Sequence, residues 1–181
     1  MTRKVARWSL SSSCLKRETK EASWSLRCAQ CWCVGTHEKR SEVMSKDFSA
    51  LRVGDELPNL VLPPVNRTTL ALFAGASGDY NPIHIDLDFA RQSGLSDVFA
   101  HGMLGMAWLC RLLTQWAPQQ QLRKVDVRFG GITHLGNIIS CRGKVIELND
   151  LAGEPCARVE VTSVNQFGQI KIAGEAWIAL A

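Results

Sequence analysis

The sequence predicts an α+β fold in which a curved antiparallel sheet wraps around one central buried helix. First, residues 103–116 are apolar at almost every position, and a helix that is apolar on all sides belongs in a core. Second, apolar and polar residues alternate after Pro118, which is the pattern of half-buried strands. Third, short turns join these strands, as they join antiparallel neighbours. The helix therefore fits in the concave face of the sheet, which is the hotdog architecture.

Length and composition indicate one globular domain. The chain has 181 residues, of which 46% are hydrophobic and 21% are charged, enough to bury a sizeable core. No apolar run reaches the ~20 residues that span a bilayer, because His101 and Arg111 interrupt the longest one. The net charge of +4 divides into +5 for residues 1–43 and −1 for residues 44–181. The basic excess therefore does not favour a nucleic-acid surface on the body of the protein.

Residues 1–43 are predicted to be a poorly ordered appendage, because they show no sustained helical or strand period. A cluster of Cys28, Cys31, Cys33 and His37 has the spacing of half a zinc site. Three thiols within six residues leave little room for tetrahedral ligation, and no second cysteine pair follows. We therefore predict no metal and no cofactor.

Two origins fit this appendage. Its first 17 residues are basic, free of acids and rich in serine, which is the composition of a mitochondrial presequence. Alternatively, Met44 is the true start, since a short polar lead and a strand-like segment follow it. We favour the start at Met44, with residues 44–181 as the hotdog domain of a cytoplasmic protein. A mitochondrial location is expected if residues 1–43 are a genuine presequence.

The elements follow in order along residues 44–181. An extended segment covers 57–65, and Asn66 caps a helix that reaches about Ala76 and ends at Gly78. Asp86 caps a short second helix that ends before Gly94. The core helix and four strands come next, at about residues 103–116, 125–129, 138–148, 156–163 and 170–178. Ile170, Ile172, Ala176 and Ile178 are predicted to share the buried face of the last strand.

The stretch SGDYNPIHID at residues 77–86 carries the candidate chemistry. Asp79 and His84 flank a turn at Pro82, so that their side chains can converge on one water molecule and remove a proton from it. Asn81 is placed to orient one of them or to fix the loop through its amide. Asp86 is either the cap of the next helix or a partner for the His84 ring. Taken singly, each residue is better explained by structure alone: Asp79 as a cap, Asn81 as a turn former and His84 as a structural group with satisfied hydrogen bonds.

A second candidate element is FAHGML, residues 99–104. Gly102 precedes the buried helix, whose first N–H groups have no intrahelical acceptor and lie at the positive end of the helix dipole. Such donors suit an oxyanion hole for a thioester carbonyl. An ordinary helix start with a small residue explains the same pattern.

The two elements together resemble the MaoC-like dehydratases. This family includes the R-specific enoyl-CoA hydratases and the hydroxyacyl dehydratases of fatty-acid synthesis. The G-D-x-N-P-I-H-x-D element is followed about fifteen residues later by A-H-G-M. The resemblance covers about residues 48–181. It implies a hydro-lyase that adds water across a trans-2-enoyl thioester, or removes it, on CoA or acyl-carrier protein. It implies catalytic roles for Asp79, His84 and Gly102 and supporting roles for the side chains of Asn81, Ser77 and His101.

The resemblance also implies a homodimer, or a heterodimer with a second hotdog subunit. Some of these hydratases carry a serine in the central helix, where this chain has Cys110, a weaker hydrogen-bonding group. Two other functions stay open: an acyl-CoA thioesterase with the same fold, and a subunit that binds acyl groups without catalysis.

Overall fold

The protein is described from a computed structural model, which covers residues 7–11 and 48–180. In the described residues, six antiparallel strands form one sheet in the order β1-β3-β6-β5-β4-β2. The strands are β1 Arg7–Ser11, β2 Leu60–Val61, β3 Leu122–Phe129, β4 Ile139–Leu151, β5 Glu154–Asn165 and β6 Ile170–Ala179. The helices are α1 Arg67–Ser77, α2 Leu87–Gln92 and α3 Gly102–Trp116, with 3₁₀ turns at Pro82–His84 and Gln119–Gln121.

The predicted hotdog fold is confirmed. Helix α3 lies against the sheet and buries eight residues: Leu104, Gly105, Met106, Trp108, Leu109, Leu112, Leu113 and Trp116. It approaches β6 closely, since a Cβ at Gly105 would lie 2.8 Å from the Ile172 side chain. No helix within residues 48–180 is long and apolar enough to cross a membrane. The cluster of Cys28, Cys31, Cys33 and His37 and the candidate start at Met44 lie outside the described residues.

Local signals set the helix boundaries as predicted. The Asn66 side chain accepts from the Thr69 N–H at 2.8 Å and caps α1. Gly78 ends that helix with φ +74°, a left-handed conformation that favours glycine. The Asp86 carboxylate accepts from the N–H groups of Asp88 and Phe89 and caps α2. Asp86 is therefore a cap, and it is not the partner of the His84 Nδ1 atom, which contacts Phe99.

Two features of the sheet differ from the sequence prediction. Strand β1, within the predicted appendage, pairs with β3 from Arg7 opposite Arg128 to Ser11 opposite Lys124. Five residues are too few for a recognisable period, and the free edge of β3 supplies the hydrogen bonds that order this backbone. At the start of β6, Ile170 is exposed and Lys171 is buried. The β5–β6 register shifts at Ser163/Val164, so strict alternation fails there.

Strand β6 offers a test of the sheet packing. A Cβ at Gly174 would lie 2.1 Å from the Asp126 carbonyl oxygen and 2.6 Å from the Val127 Cα, both backbone atoms of β3. We expect Gly174→Ala to lower the free energy of unfolding by about 3 kcal/mol, because β3 itself has to move. Gly143→Ala is the control, with an expected loss of about 1 kcal/mol, since its Cβ would meet the flexible Leu57 side chain. Urea denaturation measures both, and equal losses would contradict this packing.

Candidate active site

The loop between α1 and α2 is held by its own polar side chains. Ser77 Oγ accepts from the Asp79 N–H at 3.2 Å, and Asp79 Oδ1 accepts from the Asn81 N–H at 3.3 Å. Asn81 Oδ1 accepts from the Ile83 N–H at 3.2 Å and caps the 3₁₀ turn that ends at His84. Ser77 and Asn81 thus fix the backbone of the loop that carries the exposed Asp79 and the buried His84.

The protonation of the His84 ring follows from its partner. His84 Nδ1 lies 2.8 Å from the Phe99 carbonyl oxygen. A carbonyl only accepts, so Nδ1 carries the hydrogen and donates it. In the neutral ring, Nε2 then holds an unshared electron pair. That tautomer is the one a general base requires.

His101 lies directly against this ring. The two imidazole centroids are 4.0 Å apart with planes inclined by 34°, and Phe73 packs on His101 at 5.0 Å. His101 Nε2 lies 3.1 Å from the Asp79 carbonyl oxygen and is the donor to it. Burial of the His101 ring and the neighbouring His84 lower the pKa of His101 below the usual histidine value. His101 is therefore neutral at physiological pH.

The structure brings the predicted residues to one place. Asp79, His84 and His101 each offer a ligand atom, and these atoms all lie within 4.8 Å of one another. Asp79 and His84 are therefore close enough to share a water molecule, whereas His101 Nε2 donates to the Asp79 carbonyl. A tetrahedral zinc ion needs ligand atoms roughly 3.4 Å apart, given Zn–N distances of about 2.1 Å, and this spacing lies within the 4.8 Å bound.

The helix start completes the arrangement. Gly102 is the first residue of α3, and the preceding His101 makes no side-chain cap to the first N–H groups. The Leu104 N–H donates to the His101 carbonyl at 3.1 Å, so the candidate donors of this helix start are the N–H groups of Gly102 and Met103. A Cβ at Gly102 would lie 3.3 Å from the Phe129 ring. The absence of a side chain there also lets the helix start pack against β3.

Cys110, in the middle of α3, has no acid–base role. Burial raises the pKa of its thiol to about 11, so it stays protonated and neutral at physiological pH.

The partner of His84 Nδ1 is the contact at this site that sequence reasoning missed. The Phe99 carbonyl is a backbone atom fifteen residues away, which no side-chain motif reveals.

The comparison with known proteins decides the family. The model of the MaoC like domain matches residues 52–166, more than half of the chain. This chain belongs to the MaoC-like family. The matched span contains the loop, the helix start and three of the four long strands.

Relatives of this MaoC-like chain include enzymes of known name. It is 27% identical over 121 residues to the (R)-specific enoyl-CoA hydratase of Aeromonas caviae, covering 61% of this chain and 83% of that enzyme. The unliganded R-hydratase PhaJ1 from Pseudomonas aeruginosa superposes with a TM-score of 0.65 at 27% identity, covering 74% of this chain and 84% of that one. The peroxisomal multifunctional enzyme type 2 of Mus musculus is 30% identical over 94 residues. That alignment covers 50% of this chain and only 13% of the mouse enzyme.

Proposed function

We propose that this protein is an R-specific hydratase of trans-2-enoyl thioesters, or the dehydratase of 3-hydroxyacyl thioesters in the reverse direction. One observation carries the proposal: the Phe99 carbonyl holds His84 with Nδ1 protonated, which leaves Nε2 as the base of a ring that has one nitrogen within 4.8 Å of an Asp79 carboxylate oxygen. The (R)-specific hydratases among the relatives support the same reaction class.

The proposed reaction adds one water molecule. Asp79 and His84 hold the water, and His84 Nε2 takes a proton while the water oxygen bonds to Cβ. The electron pair of the Cα–Cβ double bond moves toward the thioester carbonyl, whose oxygen accepts from the Gly102 N–H. The proton that His84 Nε2 took from the water then passes to Cα on the same face of the substrate, which returns the imidazole to its neutral form. The sum is syn addition of water, and no other co-reactant is consumed.

Apolar side chains around the pair suit an acyl substrate. Tyr80, Ile85 and Met103 are 67%, 44% and 48% exposed, and each is adjacent in sequence to a proposed catalytic residue. A contiguous exposed apolar patch marks a binding or association surface, and we propose that these three residues contribute to one. We propose an acyl thioester of CoA or of acyl-carrier protein as the substrate. We also propose a homodimer, with a heterodimer of two hotdog subunits as the alternative assembly.

The decisive experiment mixes the purified protein with crotonyl-CoA and follows the loss of enoyl-thioester absorbance. Chiral analysis of the product is expected to give the R-3-hydroxy thioester. A thiol dye in a parallel sample reports release of free CoA, and rapid release without hydration would indicate a thioesterase instead. Failure with short, medium and long enoyl-CoA and with carrier-protein thioesters would contradict catalysis and leave a binding subunit.

Residues 1–43 are proposed to be an appendage to the catalytic domain. Their described part, β1, pairs with β3 at the edge of the sheet, and the proposed catalytic residues lie within 79–102. We expect removal of residues 1–43 to leave kcat for crotonyl-CoA within about twofold of the full chain. A loss of more than tenfold in a folded, truncated protein would contradict the appendage.

A further inference from the structure

Two histidines cross-link the site in opposite directions. His84, in the loop, donates to the carbonyl of Phe99, which precedes α3. His101, which precedes α3, donates to the carbonyl of Asp79 in the loop. The rings stack at 4.0 Å between these two hydrogen bonds. We call this unit, made of His84, His101 and the two accepting carbonyls, the imidazole clamp.

His101 is a costly residue to bury. Its ring is 2% exposed, and its Nδ1 atom has no hydrogen-bond partner among the described residues. A buried polar atom without a partner costs free energy that an apolar side chain of similar size would avoid. The packing of this ring between Phe73 and His84 therefore does not explain why the residue is a histidine. The hydrogen bond that His101 Nε2 donates to the Asp79 carbonyl does explain it.

This bond joins the two halves of the site. Asp79 carries the carboxylate for the water, and Gly102 carries the N–H for the thioester oxygen. His101 is adjacent to Gly102 in sequence and is bonded to the backbone of Asp79. It therefore sets the separation of the groups that act on Cβ and on the carbonyl. A misplacement of about 1 Å in such a pair costs about a hundredfold in rate.

We propose that His101 is a positioning residue, which fixes the Asp79 loop against the start of α3 through its Nε2–H. This inference rests on the proposed hydratase function for its effect on rate. The hydrogen bond between the loop and the helix start, by contrast, can be tested without substrate, through amide hydrogen exchange in the loop. His101 itself does not touch the reacting atoms, so its effect falls on kcat through Asp79 and Gly102.

The test compares His101→Gln with His101→Met in the full chain. Glutamine and methionine have similar length and flexibility, but only glutamine keeps an N–H donor for the Asp79 carbonyl. We measure kcat and KM with crotonyl-CoA, and amide hydrogen exchange of the peptide covering residues 79–86. If His101→Met fails to fold, His101→Phe replaces it, because phenylalanine keeps the ring between Phe73 and His84 but lacks the donor.

We expect the methionine variant to lose about 10- to 100-fold in kcat with KM within threefold, and its 79–86 peptide to exchange faster. The glutamine variant should recover kcat to within about fivefold and exchange as the wild type does. Equal impairment of both variants, or a methionine variant with wild-type rate and exchange, would overturn the inference. If the wild type hydrates no thioester, the proposed function fails. The exchange comparison alone then decides: unequal exchange supports the clamp, and equal exchange overturns it.

Discussion

Replacement of Asp79 by asparagine is expected to reduce kcat for the hydration of crotonyl-CoA by about a thousandfold, or roughly 4 kcal/mol. The amide keeps an oxygen for the Asn81 N–H, which in the native loop donates to Asp79 Oδ1 at 3.3 Å, so the backbone stays in place. The negative charge that holds and polarises the water in the proposed mechanism is lost. Steady-state kinetics with enoyl-CoA, together with a thermal unfolding curve, separates this loss from a loss of fold.

The same loop provides a matched control for that substitution. Asp86 is also an exposed acid, but its carboxylate caps α2 by accepting from Asp88 and Phe89. Asparagine is an equally good cap. Asp86→Asn should therefore keep kcat within about twofold. A rate near the native one in Asp79→Asn, or a comparable loss in Asp86→Asn, would show that the catalytic carboxylate has been wrongly assigned.

Loss of the His84 base should have an effect of the same size. His84→Asn places an amide N–H where Nδ1–H stood, so the bond to the Phe99 carbonyl can persist, while the basic Nε2 disappears. We expect kcat to fall by about a thousandfold with little change in stability. His84→Ala should lose as much activity and also about 1–3 kcal/mol of stability, because the Phe99 carbonyl is left unpaired.

His134→Asn controls for the general effect of removing an imidazole near the site. The contacts described for His134 are made by its backbone, which forms a β-bridge with Phe99 and donates to Asn137 Oδ1. None of these described contacts involves its ring. The kcat of the His134→Asn variant should stay within about twofold of the native value. If His84→Asn retains more than a tenth of the native kcat, the proposed general base is wrong.

Much of this site could be predicted from the sequence because its chemistry is local. Asn66, Gly78 and Asp86 act as caps within four residues of themselves, so their residue types reveal their roles. The buried helix and the long strands follow from hydrophobic periods that persist for eight residues or more. The loop with Asp79 and His84 is a short motif, and the spacing of its polar residues along the chain is enough to identify it.

The remaining features depend on contacts between distant segments. The tautomer of His84 is set by a backbone carbonyl that lies fifteen residues away in the sequence. The tautomer of His101 is likewise set by a carbonyl twenty-two residues away. The burial of Lys171 depends on a register shift between two strands. No residue type or period encodes these facts, since each arises only when the sheet, the loop and α3 have packed together.

Lys171 affects how natural variants of this protein should be interpreted. Its buried ammonium donates to the Ile132 carbonyl at 2.8 Å, and the next residue, Thr133, accepts from the Ala100 N–H at 2.9 Å. The backbone that presents the Phe99 carbonyl to His84 is thus anchored from the start of β6. A sequence comparison would score an exchange of Lys171 as a change of surface charge. An inherited difference there can instead alter turnover while every group that meets the substrate is conserved.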